Sequence, residues 1–476
     1  MSDGLGHKAA RGSVWATVDR LSVMAMTFVV NIVMARLLTK ADFGLVGMVY
    51  VFTNISNVII DGGFGSALIQ KKNPTQTDYS TVFYWNIGLA AALYALLYVG
   101  AGWIADYYRQ PQLVGIVRLL GVIIICNSVF VTHFVKMRME FRFGTMAIIN
   151  VSSALLGGAL GIYLAAHGVG VYALVWSQVS VGLLQCLGCF LLGRWMPSLT
   201  FSAETLRRLF GYGGYLMAAQ ILQVVCNNVQ YLIIGRRSSA GQLGLYTQAQ
   251  KTDQIVSYHI PQILVNVMFP LYSRLQDDRP RLLQTLAMNL RVVAFVVYPV
   301  IALLMLLAEP VFILLYTDEW APAAPYFRVF CCGGFFVALQ NLNFYAVAAL
   351  GHSRTLFRWS FYKWGVLLVL MLIGMNFGMY GMLWALVASN INIFMTNSVL
   401  AARLVGFRLS AQVRALLPVG GLTVLVAALC WQFQTYTQTS PWLMVPLYVV
   451  LYFGIAYLSR ARALNDLVGF VRSVIR

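Results

Sequence analysis

QLVGIVRLLGVIIICNSVFVTHF, residues 112–134, carries one charge, Arg118, in a stretch long enough to cross a bilayer. Roughly 20 apolar residues in a helix span a hydrocarbon core about 30 Å thick. Outward from this run the pattern repeats in both directions. Further apolar runs lie at 13–36, 43–68, 80–104, 144–166, 169–192, 209–234, 246–272, 288–316, 326–350, 357–377, 379–402, 415–434 and 442–459. Polar residues dilute 246–272 and 379–402 the most. Of the 476 residues, 60% are hydrophobic and 10% charged, where a soluble domain carries about 25% charged residues. The fold class that follows is all-α: a polytopic membrane protein of about fourteen transmembrane helices.

The net charge is +18. In a soluble chain that would point to nucleic acid, but here the basic residues alternate in side with the spans. With the N-terminus placed in the cytoplasm, the outer loops hold only Arg36, Lys40, Arg109, Arg236 and Arg237. Nearly all other loop cations, among them Lys71, Lys72, Lys136, Arg138, Arg207, Arg208, Arg279 and Arg281, fall on the cytoplasmic side. This is the positive-inside pattern, and it places both termini in the cytoplasm. Residues 1–12 are polar and the first apolar run continues to about Leu38, too long for the core of a signal peptide. No nucleic-acid partner is expected. The seven cysteines sit mostly within apolar runs without disulfide or zinc spacing. The five histidines are scattered, and no phosphate-binding lysine loop, dinucleotide glycine pattern or nucleophile elbow occurs. No cofactor, metal or catalytic residue is therefore expected. The loops are too short for a catalytic domain, so the work falls between helices.

Displaced by 200 residues, the chain partly matches itself. Arg36 falls on Arg236, Gly44 on Gly244, Leu45 on Leu245 and Ile55 on Ile255. Further on, Gly170-Val171-Tyr172 resembles Gly378-Met379-Tyr380, and Phe141-Arg142 resembles Phe357-Arg358. Six helices per repeat keep the same orientation, the parallel-repeat plan of many transporters. The expected organisation is a six-helix lobe at 1–200, a second at 201–408, and two added helices with a cytoplasmic tail at 409–476.

Polar residues in hydrocarbon face a bundle interior or a water-filled cavity. Span 43–68 carries Tyr50, Asn54, Asn57 and Asp61 within about 60° of arc. Its repeat partner carries Gln250, Gln254 and Ser257. Span 209–234 carries Gln220, Gln223, Asn227 and Gln230, and its partner carries Arg20, Thr27 and Asn31. Two readings are open: hydrogen-bonded glue between helices, or a hydrated cavity whose amides suit sugars. Cations also lie off the loops. Arg20 is about 12 Å inside its span, and Arg118, Lys251 and Lys363 are each about 9 Å in. Arg291 and Arg328 are nearer span ends, where snorkelling suffices. Asp19, Asp61 and Asp253 are the deepest acids, candidates both for pairing these cations and for coupling an ion. Cations among amides fit a ligand that joins an anionic phosphate to polar sugars. Asp61-Gly62-Gly63-Phe64-Gly65 and Pro261 are candidate helix weak points.

Ala35-Arg36-Leu37-Leu38, Asp42-Phe43-Gly44-Leu45 and Asp61-Gly62-Gly63-Phe64-Gly65-Ser66-Ala67-Leu68-Ile69-Gln70 resemble the start of the bacterial polysaccharide transporters. These are the O-antigen and exopolysaccharide repeat-unit flippases of the multidrug/oligosaccharidyl-lipid/polysaccharide exporter superfamily. Gly244-Leu245-Tyr246, Phe269-Pro270 and Ala349-Leu350-Gly351-His352 resemble the family's second half. The resemblance implies two lobes in a V, alternating access, and an undecaprenyl-diphosphate-linked oligosaccharide moved from the cytoplasmic to the periplasmic leaflet of the inner membrane. It also implies an added helix pair that helps hold the lipid tail, and Arg20 as the counterpart of cavity cations in the peptidoglycan-precursor flippases. Implied partners are the lipid-linked oligosaccharide, membrane lipids, a polysaccharide polymerase and a chain-length regulator, with the chain itself a monomer. Alternatives are an ion-coupled multidrug exporter, a membrane polysaccharide polymerase or ligase, and a structural partner of a synthase. The polymerase would need a longer periplasmic loop than 235–245 or 317–325 provides.

Overall fold

The computed structural model describes residues 2–62, 64–65, 68, 71, 74–262, 272, 275–437 and 439–475. Among these, all regular structure is helical. The helices are α1 (Ser2–Leu37), α2 (Lys40–Asp61), α3 (Gln76–Tyr108), α4 (Leu113–Leu120), α5 (Val122–Met139), α6 (Phe143–Ala166), α7 (Val171–Leu192), α8 (Ala203–Arg237), α9 (Ala240–Gln254), α10 (Arg279–Leu306), α11 (Ala308–Leu315), α12 (Ala324–Ala349), α13 (Ser353–Gly374), α14 (Gly378–Leu400), α15 (Leu409–Thr437), α16 (Met444–Leu458) and α17 (Arg462–Ile475).

Eleven helical stretches among the described residues are long and apolar enough to cross a membrane, one of which, Arg354–Val405, comprises both α13 and α14. The remaining two expected spans coincide with α8 and α9, which are helical but not among these stretches. The second is described only to residue 262, so 263–271 of the expected span, with Phe269-Pro270, lie outside the described residues, as does Gly63 of the glycine motif. The expected polytopic all-α fold is therefore met. The outer faces suit lipid: Leu96, Val99 and Trp103, three and four residues apart on α3, are 67%, 72% and 77% exposed. A patch of that size facing water would be an association surface.

The turns follow from capping chemistry. α1 and α2 are joined by Leu38 and Thr39 alone. The Thr39 hydroxyl accepts from the Asp42 amide, and the Asp42 carboxylate accepts from the Thr39 amide at 3.0 Å, a reciprocal N-terminal cap. The same turn recurs 200 residues on, where the Ser239 hydroxyl accepts from the Gln242 amide at 3.2 Å. α2 ends at Gly62, in the left-handed region at φ 51°. Pro261 leaves the Ser257 carbonyl without its usual helical donor, and the backbone answers with a π turn at Ile255–His259 rather than a simple kink.

By compactness the chain forms two units, Met1–Gly244 and Leu245–Arg476. In the first, α6 packs on α7 and α1, while α2 packs along α8. An aromatic cluster of Phe64, Tyr79, Phe83 and Trp195 closes one end. The linker at 193–202 is pinned to the start of α3. The Gln76 side chain donates to the Met196 carbonyl at 2.8 Å, the Ser198 amide donates to the Ser80 hydroxyl at 2.9 Å, and the Ser202 amide donates to Thr81 at 3.0 Å. In the second unit α12 packs on α10 and α14, and α15 on α10.

Candidate functional site

In the first unit the α2 stripe faces α8 and α5. The Asn54 amide donates to the Asn228 Oδ1 at 3.3 Å, and the Asn127 amide of α5 donates to the Asn57 Oδ1 at 2.7 Å. Tyr50 meets Tyr231 edge-on, with ring centroids 6.4 Å apart. Asp61 is half-buried at the end of α2. On α8 the expected stripe divides: Gln230 is buried, Gln220 half-buried, and Gln223 and Asn227 exposed. The amide that reaches Asn54 of α2 is Asn228, one position on from Asn227 and therefore about 100° around the helix.

Next to this α2–α8 contact, the first turns of α2 and α9 meet backbone to backbone. A Cβ on Gly44 would overlap the Ala240 carbonyl oxygen, and one on Gly244 would overlap the Lys40 carbonyl oxygen. Residues 40 and 44 are displaced from 240 and 244 by the repeat offset, so the contact is reciprocal. Only glycine lets two backbones come this close. Lower on the same seam, a Cβ on Gly235 would lie 3.1 Å from the Met48 side chain.

Neighbours in sequence part company on α1. Arg20 is exposed, whereas both oxygens of half-buried Asp19 accept from the Asn150 amide of α6, at 3.2 and 3.0 Å. Asn150 in turn accepts from Gln185 of α7 at 3.2 Å. Asp19 is thus held by an amide relay rather than by a cation. Asn150 and Gln185 were missed in the sequence, though each is polar within an apolar span. Asn31 is half-buried on α1. Arg118 lies against its own hairpin, its guanidinium 4.3 Å from the Tyr98 ring centre and its Nε 3.4 Å from the Tyr98 carbonyl.

In the second unit Asp253 is 8% exposed and accepts from the Ser257 hydroxyl at 2.7 Å and from the Cys331 thiol. The π turn carries Ser257, and Gly334 of α12 leaves room for it. Asp253, too, has neutral partners. Lys251 is half-buried and Gln254 exposed. Lys363 is 6% exposed, donates to the Asn397 Oδ1 at 3.1 Å, and sits 5.6 Å from the Phe344 ring centre. The Asn397 amide donates onward to the Gln340 carbonyl at 3.0 Å. No carboxylate pairs with Lys363 among the described residues, so a desolvated cation stands among amides and an aromatic ring. Arg291, expected to snorkel, is instead ion-paired to Asp466 of α17 at 2.6 Å. Among the described residues no group of His, Cys, Asp and Glu could hold a metal ion.

A family model described as "Polysaccharide biosynthesis protein" matches residues 33–325, which include the motifs at 35–70 that resemble this family. The chain belongs to that family. Its relatives include the teichuronic acid biosynthesis protein TuaB of Bacillus subtilis, 24% identical over 73% of this chain and 72% of that one. The lipopolysaccharide biosynthesis protein WzxC of Escherichia coli is 23% identical over 71% and 69%. The succinoglycan biosynthesis transport protein ExoT of Rhizobium meliloti is 24% identical over 65% and 63%. In fold this family member is similar to the lipid II flippase MurJ, with a TM-score of 0.76 at 13% identity over 97% of this chain and all of that one. It is also similar to an inward-facing multidrug resistance MATE family transporter, with a TM-score of 0.61 at 14% identity over 82% and 98%. The family member is thus a multi-pass membrane protein of polysaccharide biosynthesis with a transporter fold.

Proposed function

We propose that this protein flips undecaprenyl-diphosphate-linked oligosaccharide repeat units from the cytoplasmic to the periplasmic leaflet of the bacterial inner membrane. Transport is by alternating access, for lipopolysaccharide, exopolysaccharide or capsule assembly. The observation that carries this reading is the seam of α2 with α8 and α9: a reciprocal glycine closure between the starts of α2 and α9, with paired amides between α2 and α8. A closure held by close backbone packing has two discrete arrangements, packed or parted, as a gate requires. The six-helix lobes at 1–200 and 201–408 are the proposed repeats, with 409–476 added. Both termini are cytoplasmic and the protomer works alone.

In the first unit Arg20, Asn31, Asn54, Asn57, Asp61, Arg118, Gln220, Gln223, Asn227 and Gln230 are proposed to meet the cargo. In the second, Lys251, Gln254 and Lys363 do so. Exposed Gln223 and Asn227 favour a hydrated path over glue alone, because amides in hydrocarbon are costly. Asp19, Asp61 and Asp253 are the proposed ion-coupling acids. Among the described residues, Asp19 is bonded by the amide relay and Asp253 by a hydroxyl and a thiol, and neither is paired with a cation. The fold shared with a MATE transporter keeps a second reading, an ion-coupled drug exporter. The named relatives of polysaccharide assembly favour the first.

The test is deletion of the gene followed by extraction of lipid-linked sugars and assignment of their leaflet. Complete repeat units trapped on the cytoplasmic leaflet, with surface polymer lost, are the expected result. Single repeat units that still reach the periplasm would mean a polymerase, and an unchanged sugar profile would favour the exporter.

A further inference from the structure

We infer that α17 is a membrane-surface helix that binds anionic phospholipid headgroups. It begins four residues after α16 ends, and α16 is apolar enough to span a membrane. The connection turns sharply at Arg460, which takes the left-handed conformation at φ 49°. Tyr457 and Leu458, 76% and 81% exposed, mark where α16 leaves the bilayer. With only 14 residues, α17 cannot itself cross.

Its placement is fixed from the other side as well. Asp466 is ion-paired to Arg291 of α10 at 2.6 Å, and Ala463 is buried at 3%. Arg291 lies three residues inside the apolar run that begins at 288, so the pair sits near the boundary between hydrocarbon and headgroups. The outward side of α17 presents Arg462, Asn465, Gly469 and Arg472, all exposed, at helical spacings of three, four and three residues. Arg460 is exposed just before it. Val468 is 42% exposed and Leu464 half-buried, four residues apart on a neighbouring stripe. The helix's one acid, Asp466, is committed to Arg291.

Three guanidiniums that form no ion pair among the described residues, beside an apolar stripe and tethered at the bilayer boundary, are charge-complementary to acidic lipid. Guanidinium forks suit phosphate. A protein partner would have to reach this side across the headgroups, so lipid is the occupant.

The test uses the full-length protein extracted in mild detergent. The ratio of phosphatidylglycerol plus cardiolipin to phosphatidylethanolamine among co-purified lipids is measured by mass spectrometry and compared with that of the source membrane. The wild type should be enriched in the acidic lipids. The Arg460→Gln/Arg462→Gln/Arg472→Gln variant should lose the enrichment, with binding to acidic lipid falling about fivefold per arginine. The matching Arg→Lys triple variant should keep it. If the Gln triple fails to fold, single Arg472→Gln and a high-salt wash of the wild type give the same reading, because surface attraction is screened. Absent enrichment in the wild type, or equal enrichment in the folded Gln variant, would overturn the assignment.

Discussion

Substituting Gly44 by alanine should drive α2 away from the start of α9 and open the seam that α2 forms with α8. The new Cβ would overlap the Ala240 carbonyl oxygen and lie 2.6 Å from its carbon. Ordinary contact at that spot needs well over 3 Å, so the two backbones must separate by about an ångström or more. Overpacking of this kind costs about 1–3 kcal/mol, which moves a two-state equilibrium about 5- to 150-fold toward the parted form. Met48, 1% exposed beside Gly235, is the reporter. With the native cysteines replaced and Met48→Cys introduced, the rate of maleimide labelling in purified protein measures the parted fraction. Gly44→Ala should raise it by that factor. Gly244→Ala should do the same, because its Cβ would meet the Lys40 carbonyl in the mirrored position. General unfolding is told apart by retaining Cys331, 1% exposed in the second unit, in a parallel background, where it should stay slow. Unchanged Met48→Cys labelling in folded Gly44→Ala protein would refute the gate. So would a rise for only one of the two glycines, since the contact is reciprocal.

Other expectations follow from the site. Arg20→Ala should abolish transport in a complementation assay while membrane levels stay normal; retained transport removes Arg20 from the cargo path. Lys363→Met should raise the melting temperature by a few degrees and lower transport. A buried ammonium with only neutral partners costs more than it returns, and a variant that is less stable yet equally active would show that Lys363 serves packing alone. A cysteine at Ser239 should react with an impermeant reagent added outside intact cells, and reaction only after permeabilisation would reverse the proposed orientation.

The helices were legible because a bilayer imposes its thickness on every span, so length and polarity suffice to find them. The α1–α2 and α8–α9 turns were legible as a repeat through Arg36, Gly44 and their partners. What those glycines do was not legible. An identity between two turns does not say that the turns touch, and the touching depends on how helices from different spans cross. The same limit explains Asn228. Periodicity places Gln220, Gln223, Asn227 and Gln230 on one arc, but which edge of that arc meets α2 is set by the rotation of α8. A step of one residue moves the partner from Asn227 to Asn228.

Ionisable residues show the limit most clearly. The sequence offered Asp19 beside Arg20 as a pair, yet residues adjacent on a helix point about 100° apart and rarely share a partner. Asp19 went to Asn150, 131 residues away, and Arg20 is left exposed. Arg291 found Asp466 across 175 residues because α17, too short to register as a span, folds back along α10. In each case local geometry fixed the direction of the side chain and the tertiary arrangement supplied the partner. That division bears on function. A carboxyl group whose partners are neutral donors can take up a proton or an entering cation without first breaking an ion pair, and in a low-dielectric setting its interaction with that cation is strong. Asp19 and Asp253 are both left in that condition by neutral donors on neighbouring helices. Replacing Asn150 or Ser257 by lysine should therefore quench the acid's response to ions, whereas an Asn150→Gln change should preserve it.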